Sequence, residues 1–167
     1  MNFGTKHTHV WKIEAFDKNG KLKWVDENKN LVVNTGLDDI LDKYWKGSAY
    51  TASFFVGLTD GTPTVVAADT MASHAGWTEV TAYSEGTRQA LTLGAVASQS
   101  VDNSASKASF SINSDATTVG GAFITTNSTK GGTAGTLTCA VAFTGADKSL
   151  DNGDTLNVTC TLANTSA

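Results

Sequence analysis

Proline occurs once and cysteine twice in 167 residues, and charged side chains make up only 17 % of the chain. Each scarcity removes a class of protein. Cys139 and Cys160 are too few and too widely separated in sequence for a zinc module. Both sit in strand-like runs, Leu137 to Val141 and Leu156 to Cys160. Buried, reduced thiols are the expectation, and a cross-strand disulfide formed in an oxidising medium is the alternative. Residues 1–46 carry 8 Lys against 7 Asp or Glu, and residues 47–167 carry 4 basic groups against 9 acidic ones, so the balances of +1 and −5 sum to the net −4. Neither part has the dense basic field that neutralises several phosphates, which argues against nucleic acid and against a polybasic membrane anchor. No run is long and apolar enough to span a bilayer, and the N-terminal residues lack a secretion signal, so synthesis and retention in a cytoplasm until assembly are expected. Without such a signal the N-x-S/T matches at Asn127, Asn157 and Asn164 carry little weight.

The residues present in quantity are Thr, Ser, Asn and Gly, beside 40 % apolar side chains. A chain of this length buries most of its surface without a covalent staple, and this texture favours strands and tight turns. Trp11, Ile13 and Ala15 alternate with Lys12 and Glu14, the period of a half-buried strand. Asp17-Lys18-Asn19-Gly20 then supplies a hairpin turn, and Leu22 with Trp24 resumes the alternation on the return strand. A second polar cluster, Asp26 to Asn30, leads into Leu31-Val32-Val33. Beyond it Leu37, Ile40, Leu41, Tyr44 and Trp45 recur at helical spacing, with Asn34 or Thr35 as cap and Gly47 as stop. The apolar stripe of that helix requires a sheet or a neighbouring subunit to cover it.

From residue 52 onward short apolar runs alternate with Gly-rich punctuation, as in sandwiches and barrels. Strands are expected at 53–58, 78–83, 88–93, 105–112, 121–126, 136–143 and 155–162. The chain thus reads as mainly β, an antiparallel, jelly-roll-like β-sandwich body at 48–167 preceded by a hairpin and one short helix at 1–47. The connection 59–76 is long enough to be a functional loop.

Candidate chemistry is sparse. His7-x-His9 can share a metal ion from one side of a strand, but no further His or Cys lies near in sequence, and a solvated tail is the simpler expectation. His74 with Asp69 or Ser73 offers the residue types of a hydrolytic triad without a nucleophile elbow. Asp151-Asn152-Gly153-Asp154 resembles half a calcium loop but lacks the later bidentate Glu, so a hairpin turn is expected. Glu79 and Glu85 lie too far apart along one strand for a glycosidase acid pair, roughly 20 Å at strand spacing. Gly120-Gly121 and Gly131-Gly132 precede no helix, which removes a phosphate cradle. No catalytic residue, metal or cofactor is assigned. The aromatic residues Trp11, Trp24, Trp45, Trp77, Tyr44, Tyr50 and Tyr83 suit packing or a subunit interface, with a sugar-stacking platform as the alternative.

Val33 to Leu41, Phe55-Val56-Gly57-Leu58, Asp69 to Glu79 with Tyr83 and Arg88, Gly121-Ala122-Phe123, Lys130 to Thr133 and Gly153 to Val158 together resemble a family of small virion proteins of tailed bacteriophages, capsid decoration (cement) or head proteins. The resemblance spans roughly residues 32–162. It implies a β-sandwich or jelly-roll body on the exterior of the virion capsid, bound to the major capsid protein as a homo-oligomer, a trimer by preference, after synthesis in the host cytoplasm. The expected contact residues are Trp11, Ile13, Leu22, Trp24, Tyr44 and Trp45, with coverage of the protein's own core as the competing role for the same side chains. A head- or tail-fibre adhesin for host-surface glycans is the second expectation.

Overall fold

A computed structural model describes residues 5–50 and 53–166. In chain order it contains β1 (Thr5–Phe16), β2 (Leu22–Lys29), β3 (Leu31–Val32), α1 (Asn34–Ile40) continued by a π-helical turn Leu41–Trp45, β4 (Phe55–Thr59), β5 (Glu79–Val80), β6 (Gln89–Ala90), β7 (Ser100–Asp102), β8 (Ala108–Ser111), β9 (Thr117–Val119), β10 (Gly121–Thr125), β11 (Leu137–Ala142), β12 (Lys148–Leu150) and β13 (Thr155–Ser166). The protein is mainly β, and its two large antiparallel sheets pack as a sandwich.

The first sheet has the order β2-β1-β13-β7, with β8 also on β13. Its spine is the pairing of β1 with β13 over 12 positions, from Thr5 opposite Ser166 to Phe16 opposite Thr155. Trp11, Ile13 and Ala15 alternate inward and are fully buried, as their spacing predicts. The hairpin turn forms where expected. Gly20 takes φ +76°, and Asp17 Oδ1 accepts the Asn19 and Lys21 backbone N–H groups. A register shift between Ala15 and Phe16 then pairs Ala15 with Trp24 but Phe16 with Leu22. Leu22 therefore falls on the outer face, 48 % exposed, while Trp24 turns inward to meet Phe143 at 6.0 Å between ring centroids. Because β1 and β2 are integral strands of this sheet, residues 5–29 belong to the sandwich rather than to the separate front expected over 1–47.

The second sheet has the order β3-β11-β10-β4-β5, with β6 also on β4. It is apolar on both sides. Val56, Leu58, Ile124, Cys139 and Val141 face the first sheet and meet Trp11, Ile13, Phe110, Val158 and Cys160 there. On its other side Phe123, Leu137 and Ala140 join Val33, Met71 and Trp77 in a second, smaller core. Gly57 makes that side possible, since a Cβ there would strike the Phe123 ring. The long connection 59–76, expected as a functional loop, is the cover of this second core. It is tied down by Asp60 N–H to Thr78 O, Thr64 N–H to Gly76 O and Asn34 N–H to Ala67 O.

Arg88, the only arginine, locks the arrangement. Its Nε and Nη2 reach Glu79 Oε1 and Oε2 at 2.9 and 2.7 Å, Nη1 donates to Asn127 O at 2.9 Å, and Nη2 donates to Gly132 O at 2.6 Å. Glu79 Oε2 also accepts the Gly131 N–H, and the guanidinium carbon lies 5.2 Å from the Phe123 ring centroid. Both side chains are buried, with 0 % and 8 % exposure. A buried bidentate pair of this kind is expensive to break because removing one partner strands the other charge.

The segment after β3 departs from expectation. The helix begins at Asn34, but no side chain caps it, and Thr35 Oγ1 instead donates to Leu137 O at 2.7 Å. Its last turn is π-helical, and Gly47 ends it with φ +74°. The strands expected at 78–83 and 88–93 shrink to two residues each, because the Arg88 network and the Lys130 ammonium, which donates to the Tyr83 and Glu85 carbonyls, take over the backbone there. The short strands β7, β9 and β12 carry too few alternating apolar residues to have been legible.

Replacing Arg88 by Met is expected to destabilise the fold by about 3–5 kcal/mol, read by urea denaturation, with Arg88→Lys recovering only part of the loss because an ammonium cannot satisfy the bidentate geometry.

Candidate functional site

Of the six expected contact residues, the structure places Trp11 and Ile13 wholly inside the sandwich, at 0 % exposure, so neither can touch a partner. Their strand alternates and the second sheet's inward face demands cover, which consumes them as core. Trp24 is half-buried against Phe143, and Lys148 Nζ stands 5.8 Å from its ring. Leu22 is exposed at the far end of the hairpin. Tyr44 and Trp45 are exposed at 78 % and 76 %.

These last two belong to a larger surface. Leu37 and Leu41 are exposed at 39 % and 57 % on the same segment, and Tyr50 at 49 % follows it. Tyr44 and Trp45 meet edge to face, 5.3 Å between centroids at 88°. Alone they leave roughly 250–400 Å² of aromatic surface open, the size of the largest apolar patch on many monomers. The stripe read from the sequence is therefore real but uncovered. What faces inward is Gly36, whose backbone is pressed against the Thr138 carbonyl, leaving no room for a side chain.

Behind this segment a cleft of about 710 Å³ opens at one end of the sandwich. Its walls come from both sheets and from the helical segment, and they include His7, His9, Ile124, Thr138, Leu162 and Ile40. His7 and His9 are thus strand residues pointing into a cleft, not the solvated tail expected; the first four residues of that tail lie outside the described residues. His7 Nδ1 pairs with Asn164 Oδ1 at 2.6 Å. His9 is 92 % buried, the complement of its 8 % exposure, and its Nδ1 lies 3.3 Å from Cys139 Sγ and 3.1 Å from Asn30 Nδ2. Burial first, then the neighbouring His7, pushes the His9 pKa down to about 4. No sequence signal pairs His9 with Cys139, 130 residues apart on opposite sheets.

Cys139 and Cys160 are free and buried, in agreement with the reduced-thiol expectation. Burial pushes the Cys139 thiol up to about 12, and that of Cys160 well above its ordinary value. That burial works against a thiolate at either position.

The remaining candidates disperse. His74 stacks on Trp77 at 3.7 Å and its Nδ1 is bonded to the Trp77 carbonyl, whereas Asp69 accepts from the Val66 N–H and Ser73 pairs with Thr70. Glu79 is held by Arg88, and Glu85 accepts the Ser111 N–H. In the 151–154 turn Asp154 accepts from Lys23 Nζ at 2.6 Å and from the Asp151 N–H, so a lysine already occupies the place of a cation. Among the described residues no group of three or more His, Cys, Asp or Glu side chains is arranged to hold a metal ion. The chain matches no family model, no curated protein and no solved structure.

Because the folded pKa of His9 lies below its unfolded value, the unfolded chain binds more protons between about pH 4 and 6.5. Stability from this site is therefore complete above pH 6.5 and is lost as pH falls through that window, by up to about 3 kcal/mol. Urea midpoints measured from pH 7 to 4.5 are expected to fall in the native chain and to flatten in His9→Gln. Both thiols are expected to resist alkylation at pH 8 until denaturant is added, with mass spectrometry counting zero labels before unfolding and two after.

Proposed function

We propose that this chain is a structural virion protein that decorates and stabilises a tailed-phage capsid by binding the outer surface of the major capsid protein lattice, as a homo-oligomer. The observation that carries the reading is the exposed stripe of Leu37, Leu41, Tyr44 and Trp45, whose two aromatic residues are the most exposed large apolar side chains among the described residues. Large aromatic side chains held open on a folded scaffold suit a protein contact, where Trp and Tyr dominate binding energy. The resemblance to decoration proteins names the partner. Many such contacts repeated over a lattice hold neighbouring capsomers together even when each is weak.

The second reading is an adhesin for host-surface glycans, favoured by the open faces of the Tyr44–Trp45 pair on which a sugar ring can stack.

Purified protein is expected to bind expanded capsids saturably and to raise their rupture temperature. Tyr44→Ser with Trp45→Ser is expected to weaken that binding by at least about tenfold while leaving the urea midpoint unchanged, since both side chains are already in water. Binding to a glycan array, lost in the same double variant and without any effect on capsids, would favour the adhesin instead.

A further inference from the structure

We propose that two copies of this chain pair through β2, edge to edge and antiparallel about a two-fold axis at Val25, so that their first sheets become one continuous sheet. The contact supplies the homo-oligomer of the decoration reading, and rests on that reading for that role alone. β2 ends the order β2-β1-β13-β7 and is bonded to a strand on one side only. It has eight residues and no proline, whereas β3, β5 and β7, at the other ends of the two large sheets, have two or three residues. A long open edge of this kind is a template for another strand.

The ladder to β1 determines which backbone groups are on offer. Asn30 N–H donates to His9 O, one step beyond the pair of Val10 with Lys29. Bonded and non-bonded pairs alternate between antiparallel strands, so Asn28, Asp26 and Trp24 turn their N–H and C=O groups toward β1, and Glu27 and Val25 turn theirs outward. In accord with this, the Lys29 N–H also turns from β1 and donates to Asn28 Oδ1 at 2.8 Å. Val25 is 47 % exposed, and Glu27 is exposed as well. The edge is ordered before a second copy arrives. Asp26 accepts the Thr144 N–H and hydroxyl, and Asn28 Nδ2 donates to the Ala142 carbonyl, which fastens β2 to the second sheet.

Charge selects the register. The outward groups of Val25 and Glu27 can meet those of a second copy about an axis at Val25, Asp26 or Glu27. An axis at Asp26 or Glu27 sets two carboxylates directly opposite each other, which is destabilising. An axis at Val25 sets the two Val25 side chains together and brings Glu27 of each copy opposite Lys23 of the other, a pair of unlike charges. Lys23 is already oriented on its strand by Asp154, 2.6 Å away, and its side chain keeps 29 % exposure. The strand is therefore complementary to itself in this register. One strand pair is a narrow contact, so the dimer is weak in free solution. A two-fold contact also closes at two copies, not at the three that the resemblance implies.

The test uses the full chain without capsids, so its failure and the failure of capsid binding are separate results. Sedimentation equilibrium is expected to show monomer and dimer in exchange at chain concentrations below about 1 mM. Glu27→Lys, which sets a like charge against Lys23 from an exposed position, is expected to raise the dissociation constant at least about tenfold with little change in the urea midpoint. Tyr44→Ser with Trp45→Ser is expected to dimerise as the native chain does, because the helical stripe lies outside the contact. Oxidation of Val25→Cys and Glu27→Cys reads the register, since Cys139 and Cys160 are buried. The two Cα atoms at position 25 lie about 5.5 Å apart in this pairing, within disulfide reach, and those at position 27 roughly 14 Å apart, outside it. Val25→Cys is therefore expected to give covalent dimer at least about tenfold faster than Glu27→Cys. A chain that stays monomeric at about 1 mM or assembles as a trimer would overturn the proposal. So would a dissociation constant unmoved by Glu27→Lys, a dimer lost with the Tyr44 and Trp45 side chains, or cross-linking at position 27 as fast as at position 25.

Discussion

A sheet that is apolar on both faces must be covered twice, and that demand organises this protein. One cover is the first sheet, whose spine pairs β1 with β13 from Thr5 opposite Ser166 to Phe16 opposite Thr155. The other is an irregular connection of the kind that entropy ordinarily keeps loose. It stays in place because Met71 and Trp77 pack on Phe123, and because the Arg88–Glu79 pair pins the neighbouring backbone at Asn127, Gly131 and Gly132. Buried charges are poor stabilisers relative to an apolar core, but they are selective about geometry. In this position the guanidinium joins the 126–135 turn to β5 and the start of β6, two short strands that both pair with β4 but not with each other.

The same network explains what the resemblance to decoration proteins can and cannot convey. Trp77, Glu79, Tyr83, Arg88, Phe123, Lys130 and Gly131 are scattered along the sequence pattern, yet they meet in this one region. Lys130 Nζ sits 4.2 Å from the Tyr83 ring centroid while bonding two carbonyls. These residues encode how the second face is closed. They therefore speak to the fold, and the function proposed above draws on exposed residues outside this group.

Local periodicity made much of the sandwich legible. The alternation in β1, the Asn19-Gly20 turn, and the apolar runs of β4, β10, β11 and β13 depend on neighbours in sequence, and each forms close to its expected limits. Elements whose residues are fixed by distant partners were not legible. Leu22 left the core because of a bulge at Ala15, and the strands near Tyr83 and Arg88 were curtailed by the hydrogen bonds that join Arg88 and Lys130 to carbonyls 39 to 47 residues away. The His9–Cys139 contact joins opposite sheets. For the surface, period alone marked Tyr44 and Trp45 as apolar-face residues, whereas Trp11 and Ile13 could be assigned to the core only once the inward face of the second sheet was known to need cover.

The helical segment shows why an apolar period does not by itself predict burial. A helix docks its stripe when its backbone can rotate that stripe toward the sheet. Here Gly36 abuts the Thr138 carbonyl and Thr35 Oγ1 bonds the Leu137 carbonyl, so the first turn is anchored through its small and polar side. With that turn fixed, Leu37 and Leu41 point outward, and the π-helical turn carries Tyr44 and Trp45 past the edge of the sandwich. Asp42 then closes the far end on itself by accepting from Ser48, Lys43 and Lys46, bonds that hold its carboxyl down to about pKa 2. The first turn is thus tied to the sheet and the last turn closed on itself by polar contacts that leave the aromatic face open. A fold stabilised in this way leaves an apolar surface exposed without spending it on its own core.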